Sequence, residues 1–326
     1  MRTYAELHLH IEGTLEPEMV VALAERNGMR LPEPDVERLR ELNRFTCLPD
    51  FLARYTANQE VLRTEQDFAD LADAYLSRAA ASGVVRAEIF CDLQAHLARG
   101  VAAETVLLGL DAALSRSQAD HGVSTGLIIT FLRDQPVEKA QDAYTRAIAT
   151  GVELLGVGLC SAEVGHPATP FAPLFAQARA VGLHTVAHAG EEGGPDVVWE
   201  ALHELRVGRI DHGVHAADDP RLVDYLADYG IPLTMCPLSN RALQVVPDLT
   251  RHPLPALLEA GVVVTVNSDD PAYFGGYLDA NIEAITAACG LSSGQLDRLS
   301  RNSFEASFLP APEKARLSGA AAPTSA

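Results

Sequence analysis

The chain has 326 residues, enough for one large barrel or two ordinary domains. Its 48% hydrophobic and 21% charged content is that of a soluble globular protein with a sizeable core. A formal net charge of −19, from 25 Lys and Arg against 44 Asp and Glu, argues against nucleic-acid or anionic-membrane partners, which need a basic face.

Met1 to Glu6 enters a strand pattern without the apolar core of a signal peptide. No apolar run nears the roughly 18 residues that span a bilayer, so the cytoplasm is the expected compartment. Residues 5–10 alternate with period two, which places His8 and His10 on one side of a strand. Such a pair can grip one metal ion, and imidazole suits zinc; two surface histidines on an edge strand are the plainer alternative. Ile11-Glu12-Gly13-Thr14 turns the chain away, and Thr14 with Pro17 and Glu18 opens a helix. Residues 14–82 are helical and strand-poor, with helical spacing over 19–27, 39–55 and 65–81. Phe45, Leu48, Phe51, Leu52 and Tyr55 read as core, and the insertion follows a candidate site closely enough to roof a pocket.

A regular rhythm follows. Strands are expected at 84–90, 125–131, 154–159, 183–188, 208–212, 231–236 and 261–267, eight in all with the first. Helices fit between them at 103–117, 136–149, 171–180, 197–205, 220–229 and 254–260. This is an α/β chain reading as a (β/α)8 TIM barrel, one domain over 1–310 with extra helices after strand one. Residues 311–326 drift toward Ala, Pro and Ser and are expected to be a disordered tail. The five cysteines, Cys47, Cys91, Cys160, Cys236 and Cys289, are odd in number and lack any Cys-x-x-Cys pair, against a disulfide framework or a cysteine zinc cluster.

In such a barrel the catalytic groups sit at the C-terminal strand ends. Strand one ends in His8 and His10, and strand five in His188 with Glu191 three residues on. Strand six ends in Asp211-His212-Gly213, strand eight in Asn267-Ser268-Asp269-Asp270-Pro271. Three histidines and an aspartate on one rim make a nitrogen and oxygen set suited to zinc.

These stretches carry a resemblance. Residues 5–15 (AELHLHIEGTL), His188-Ala189-Gly190-Glu191, Arg209-Ile210-Asp211-His212-Gly213, Pro237-Leu238-Ser239-Asn240 and Asn267-Ser268-Asp269-Asp270-Pro271 resemble the adenosine/adenine deaminase family of metal-dependent hydrolases, in the family's order. Glu12, Ser161-Ala162-Glu163-Val164-Gly165-His166-Pro167, Glu191-Glu192-Gly193-Gly194-Pro195 and residues 271–277 resemble its adenine branch. The resemblance implies one Zn2+ per chain on His8, His10, His188 and Asp269, with Glu191, His212 and Asp270 catalytic. Glu191 would protonate N1 of the purine, His212 would orient the attacking water, and Asp270 would hydrogen-bond N7. Glu12, Ser161, Glu163 and Asp270 are the expected substrate contacts, with Glu163 placed to favour a base lacking its sugar. The partner implied is a small aminopurine, with no nucleic acid or membrane, and a homo-oligomer left open.

Two positions depart from the adenine-branch pattern. Cys160 stands where an Asp is usual, and Leu93 where Phe/Met-Asp-Pro-Gln would carry Pro. Neutral drift and altered substrate are both consistent with that. The expected reaction is deamination of adenine to hypoxanthine and ammonia, in purine salvage. The alternatives are adenosine, an N6-substituted purine or another amino-heterocycle as substrate, or a non-catalytic purine-binding protein.

Overall fold

Short β-branched and aliphatic runs set eight strands: β1 Tyr4–His10, β2 Val84–Cys91, β3 Ser124–Leu132, β4 Gly156–Cys160, β5 His184–Ala189, β6 Arg209–His212, β7 Leu233–Met235 and β8 Val264–Val266. Neighbours pair in parallel and in chain order, and a parallel bridge between Leu9 and Asp269 brings the end of β8 back to β1. The computed structural model, which describes residues 2–45 and 47–318, is a (β/α)8 barrel. Outward-facing residues such as Leu9, Ile89, Ile129 and Ile210 pack with the surrounding helices in one continuous core.

The barrel interior is more polar. Its floor is built on Arg209, which is fully buried and donates from Nη1 to Glu88 Oε2 at 2.6 Å and from Nη2 to the Leu7 carbonyl at 3.0 Å. Burial pushes the Glu88 carboxyl up, but Arg209 and Arg86 more than reverse this and hold it below its usual value. The pair is therefore ionised above the ordinary glutamate range, and its contribution fades as pH falls through the depressed value. Glu88→Gln leaves the buried Arg209 charge with only the more distant Asp211 carboxylate, 3.8 Å away. The expected cost is about 3–5 kcal/mol of unfolding free energy, measured as a lower denaturation midpoint at unchanged slope.

The insertion after β1 forms four helices: α1 Pro17–Arg26, α2 Val36–Leu42, α3 Leu48–Gln59 and α4 Glu65–Ala81. The continuous helical stretch expected over 39–55 is two helices instead. Pro49 is the reason: it fits the first turn of α3, where its missing N–H costs nothing, and would clash mid-helix. Thr46, between the two, lies outside the described residues. The disordered tail expected from residue 311 is corrected in part. Ala311–Leu317 is a helix; Leu317 packs against a core of Ala5, Leu7, Phe304 and Ala306. Residues 319–326 lie outside the described ones. Helices Leu93–Ala98, Leu278–Cys289 and Ser293–Glu305 add to those expected. Among the described residues no helix is long and apolar enough to cross a membrane.

Candidate active site

The pleat of β1 turns His8 and His10 into the barrel mouth, where β5 delivers His188 and the end of β8 delivers Asp269. One ligand atom from each of the four lies within 4.8 Å of the others, and all four side chains are buried. His10 Nε2 and His188 Nε2 are 3.1 Å apart, and His8 Nε2 is 3.2 Å from Asp269 Oδ1. Asp269 is held in place by backbone bonds to both neighbours on β1: its N–H donates to the His8 carbonyl, and its carbonyl accepts from the His10 N–H.

The outer ring nitrogens decide what these imidazoles offer. His8 Nδ1 faces Thr234 Oγ1 at 3.0 Å, His10 Nδ1 faces Asp92 Oδ1 at 3.3 Å, and His188 Nδ1 faces Asp211 Oδ2 at 3.6 Å. For His8 and His10 the outer nitrogen is within hydrogen-bond reach of an oxygen, which favours the proton on Nδ1 and turns Nε2 inward, whereas His188 Nδ1 faces its carboxylate at a longer distance and makes no bond. His8 Nε2 has no hydrogen-bond partner although it is buried. Two inward ring nitrogens 3.1 Å apart and an orphaned third, all buried beside a carboxylate, are what a cation between them would engage together, so the residues fit a metal ion. Burial, with the other imidazoles, holds His188 well below its usual value, so that ring is neutral as a metal ligand must be.

A second set, His8, His212, Cys236 and Asp269, overlaps the first. It is the poorer ligand set. Burial and then Asp269 push the Cys236 thiol well up, which keeps it protonated. His212 has an amide at its Nδ1, Asn240 Nδ2 at 3.4 Å, which donates; its own proton therefore sits on Nε2, and Nε2 is a donor.

Around the cluster lie the other expected groups. Glu191 Oε2 is 3.4 Å from His212 Nε2. Burial first, then Asp269 and Glu163, push the Glu191 carboxyl well above its usual range. Burial and Asp269 do the same to Asp270. Asp270 sits against Gly13, where a Cβ would meet its Oδ1 at 2.1 Å; only glycine allows that approach. Ser161, His212 and Asp269 all adopt positive φ at 74°, 65° and 62°, in the left-handed region that L side chains avoid. Three such residues at the ends of β4, β6 and β8 mark where backbone strain is tolerated for placement.

These residues open into a cavity of about 620 Å³, also lined by Cys160 and roofed by α3 through Leu48, Phe51 and Tyr55. The roof expected of the insertion is there. Tyr55 donates to Asp92 Oδ2 at 2.8 Å, tying the roof to the carboxylate behind His10. Two expected substrate contacts are corrected. Glu12 is fully buried behind the rim, where its Oε1 accepts from the Asp92 N–H and lies 2.7 Å from His96 Nε2. Glu163 accepts three backbone N–H groups, those of Gly190, Glu191 and Gly193, and so braces the loop that carries Glu191. Neither lines the cavity. Leu93, too, is in the hydrophobic core; Cys160 is at the wall, its Sγ 3.6 Å from Asp92 Oδ1. Asp92, Thr234 and His252 were not singled out by sequence, and Tyr55 was read only as core and roof. Asp92 could have been, since it directly follows β2 as His212 and Asp269 lie at the ends of β6 and β8.

A barrel with three imidazoles and an aspartate converging beside a buried carboxyl whose pKa is raised is the architecture of a metal-dependent hydrolase. The family model described as "Adenosine deaminase" matches residues 4–322, and the chain belongs to that family. A protein named adenine deaminase from Streptomyces coelicolor is 56% identical over 312 residues, covering 96% of this chain and 92% of that one. A solved structure of an adenine deaminase from Arthrobacter aurescens superposes with a TM-score of 0.96 at 50% identity, covering 98% of each chain. A Burkholderia ambifaria amidohydrolase structure with bound Zn gives 0.88 at 25% identity, covering 98% of this chain and 89% of that one.

Proposed function

We propose that this chain is a zinc-dependent aminohydrolase that converts adenine and water to hypoxanthine and ammonia, with one Zn2+ held by His8, His10, His188 and Asp269. The convergence of those four side chains beside the raised Glu191 carboxyl carries the reading. Relatives at 50–56% identity over most of the chain are named adenine deaminase, which supports the substrate. A zinc ion bound there supplies the Lewis acidity that lets water act as a nucleophile near neutral pH.

The protein groups do the rest. Glu191 enters protonated and gives its proton to N1 of the purine, making C6 electrophilic. His212 presents an N–H toward Asp269 and Glu191, 3.9 and 3.4 Å away, where it can orient the water attacking C6. Purine N7 is an acceptor, so Asp270 serves it only as a protonated donor, the state that its raised pKa favours. Ser161 lines the same wall. Water adds to C6, the C6–N bond breaks, and the amino group leaves as ammonia once protonated.

The test is ammonia release by the zinc-loaded protein across adenine, adenosine, N6-substituted adenines and other aminated heterocycles. Turnover of adenine well above the others is expected, and makes Cys160 a tolerated replacement. Turnover confined to a different amine overturns the adenine reading and makes Cys160, the departure that lines the cavity, the first residue to revert.

A further inference from the structure

A neutral imidazole carries its proton on one ring nitrogen, and for His212 the choice decides what it does. With the proton on Nε2 the ring donates into the cavity. With the proton on Nδ1 it would present a lone pair beside His8 and Asp269, which lie close enough to share a metal with it. We propose that His252, acting through Asn240, is a positioning residue that fixes the tautomer of His212 and so keeps it out of the metal's ligand shell. This rests on the reading of His212 as the group that orients the attacking water.

The relay starts from a group whose direction is not in question. The backbone N–H of Leu254 donates to His252 Nδ1 at 3.2 Å, so that nitrogen is an acceptor and the His252 proton is on Nε2. Nε2 then donates to Asn240 Oδ1 at 3.1 Å. With its oxygen engaged, Asn240 turns its amide nitrogen to His212 Nδ1 at 3.4 Å. His212 must accept there, and its proton stays on Nε2. All three side chains are buried, so no solvent competes for these bonds. Burial also brings His252 down to about 4, so the ring keeps the acceptor that Leu254 needs. Asn240 is itself anchored, its N–H donating to the Cys236 carbonyl and its carbonyl accepting from the Val246 N–H. His252 touches neither the metal cluster nor the cavity; it works only through Asn240.

The test reads the tautomer directly. In zinc-loaded protein carrying 15N-histidine, long-range proton–nitrogen correlation is expected to show His212 protonated at Nε2. Asn240→Asp offers Nδ1 only an acceptor, so the proton is expected to move to Nδ1. With zinc still stoichiometric and KM unchanged, kcat should then fall by about 10⁴-fold, the scale on which a wrong imidazole tautomer acts. His252→Phe removes the donor that orients the amide and is expected to mix the two tautomers and lower kcat. His252→Gln restores an N–H and should recover most of the loss. A wild-type His212 protonated at Nδ1 overturns the inference, as does an Asn240→Asp protein that keeps either its tautomer or its kcat. Should Asn240→Asp lose zinc or fail to fold, the His252 pair decides, and equal losses in Phe and Gln overturn it. Because the tautomer is read without substrate, failure to deaminate adenine would count against the function and leave this inference standing.

Discussion

Glu191→Gln is expected to lower kcat for adenine by roughly 10⁴-fold, the upper end of what a positioned acid contributes, while KM and zinc content stay near wild type. The glutamine is nearly the shape of the protonated acid and still offers an N–H to purine N1, so binding survives. It has no proton to transfer, so the step that makes C6 electrophilic is lost. Glu191 is 5% exposed and its backbone N–H is held by Glu163, so the substituted side chain has little freedom to move away. A loss in KM at retained kcat would mean that Glu191 only binds the base. The same group sets the alkaline side of the pH profile. Burial and then Asp269 raise its pKa, so it is protonated and competent below that value and inactive above it. Activity should therefore fall with rising pH through a value above the ordinary glutamate range, measured as the descending limb of kcat/KM. A bound dication pulls in the opposite direction, and the limb reports the balance of the two.

What the chain discloses in advance follows from how local each signal is. The period-two run to His10, the β-branched run to His188 and the Asp-Asp pair after β8 are local patterns, and a barrel puts all strand ends on one rim. Those residues meet as expected. Side-chain direction is not local. Glu12 and Glu163 follow strand ends just as Glu191 does, yet each turns to backbone N–H groups that would otherwise be buried unpaired. Nothing in their spacing separates a carboxylate that faces substrate from one that braces a loop. The supporting pairs are harder still: Tyr55 reaches Asp92 across 37 residues, and His8 reaches Thr234 across 226. His252 sits in a loop whose neighbours show no period, and only its three-dimensional relay marks it. The break between α2 and α3 was missed although its signal is local: Pro49 has one good place in a helix, its first turn, and a helix running through it was never compatible with that.

Removing a metal ligand should cost more than removing the acid. His188→Ala is expected to leave the purified protein with little or no zinc and adenine turnover at background, because both the ion and the attack that depends on it are lost. The remaining His8, His10 and Asp269 offer three donors, and each is already fixed from behind by Thr234, Asp92 and the β1 backbone, so they cannot close around the gap. Asp92→Asn separates ligand from support. It keeps all four donors and removes the charge behind His10 Nδ1, together with one of the acceptor oxygens that Tyr55 and Thr130 share, so the expected loss is about 10–100-fold in metal affinity or activity, restored in part by excess zinc. Metal analysis with activity, at stoichiometric and excess zinc, distinguishes the two. The folded state should respond as well. Four buried donors that converge without a cation keep their lone pairs in conflict, and an ion that binds only the folded protein stabilises it by mass action. Chelation of the wild type should therefore lower Tm, and the same chelator should leave Tm of His188→Ala unmoved. Equal shifts in both would place the ion somewhere other than this cluster.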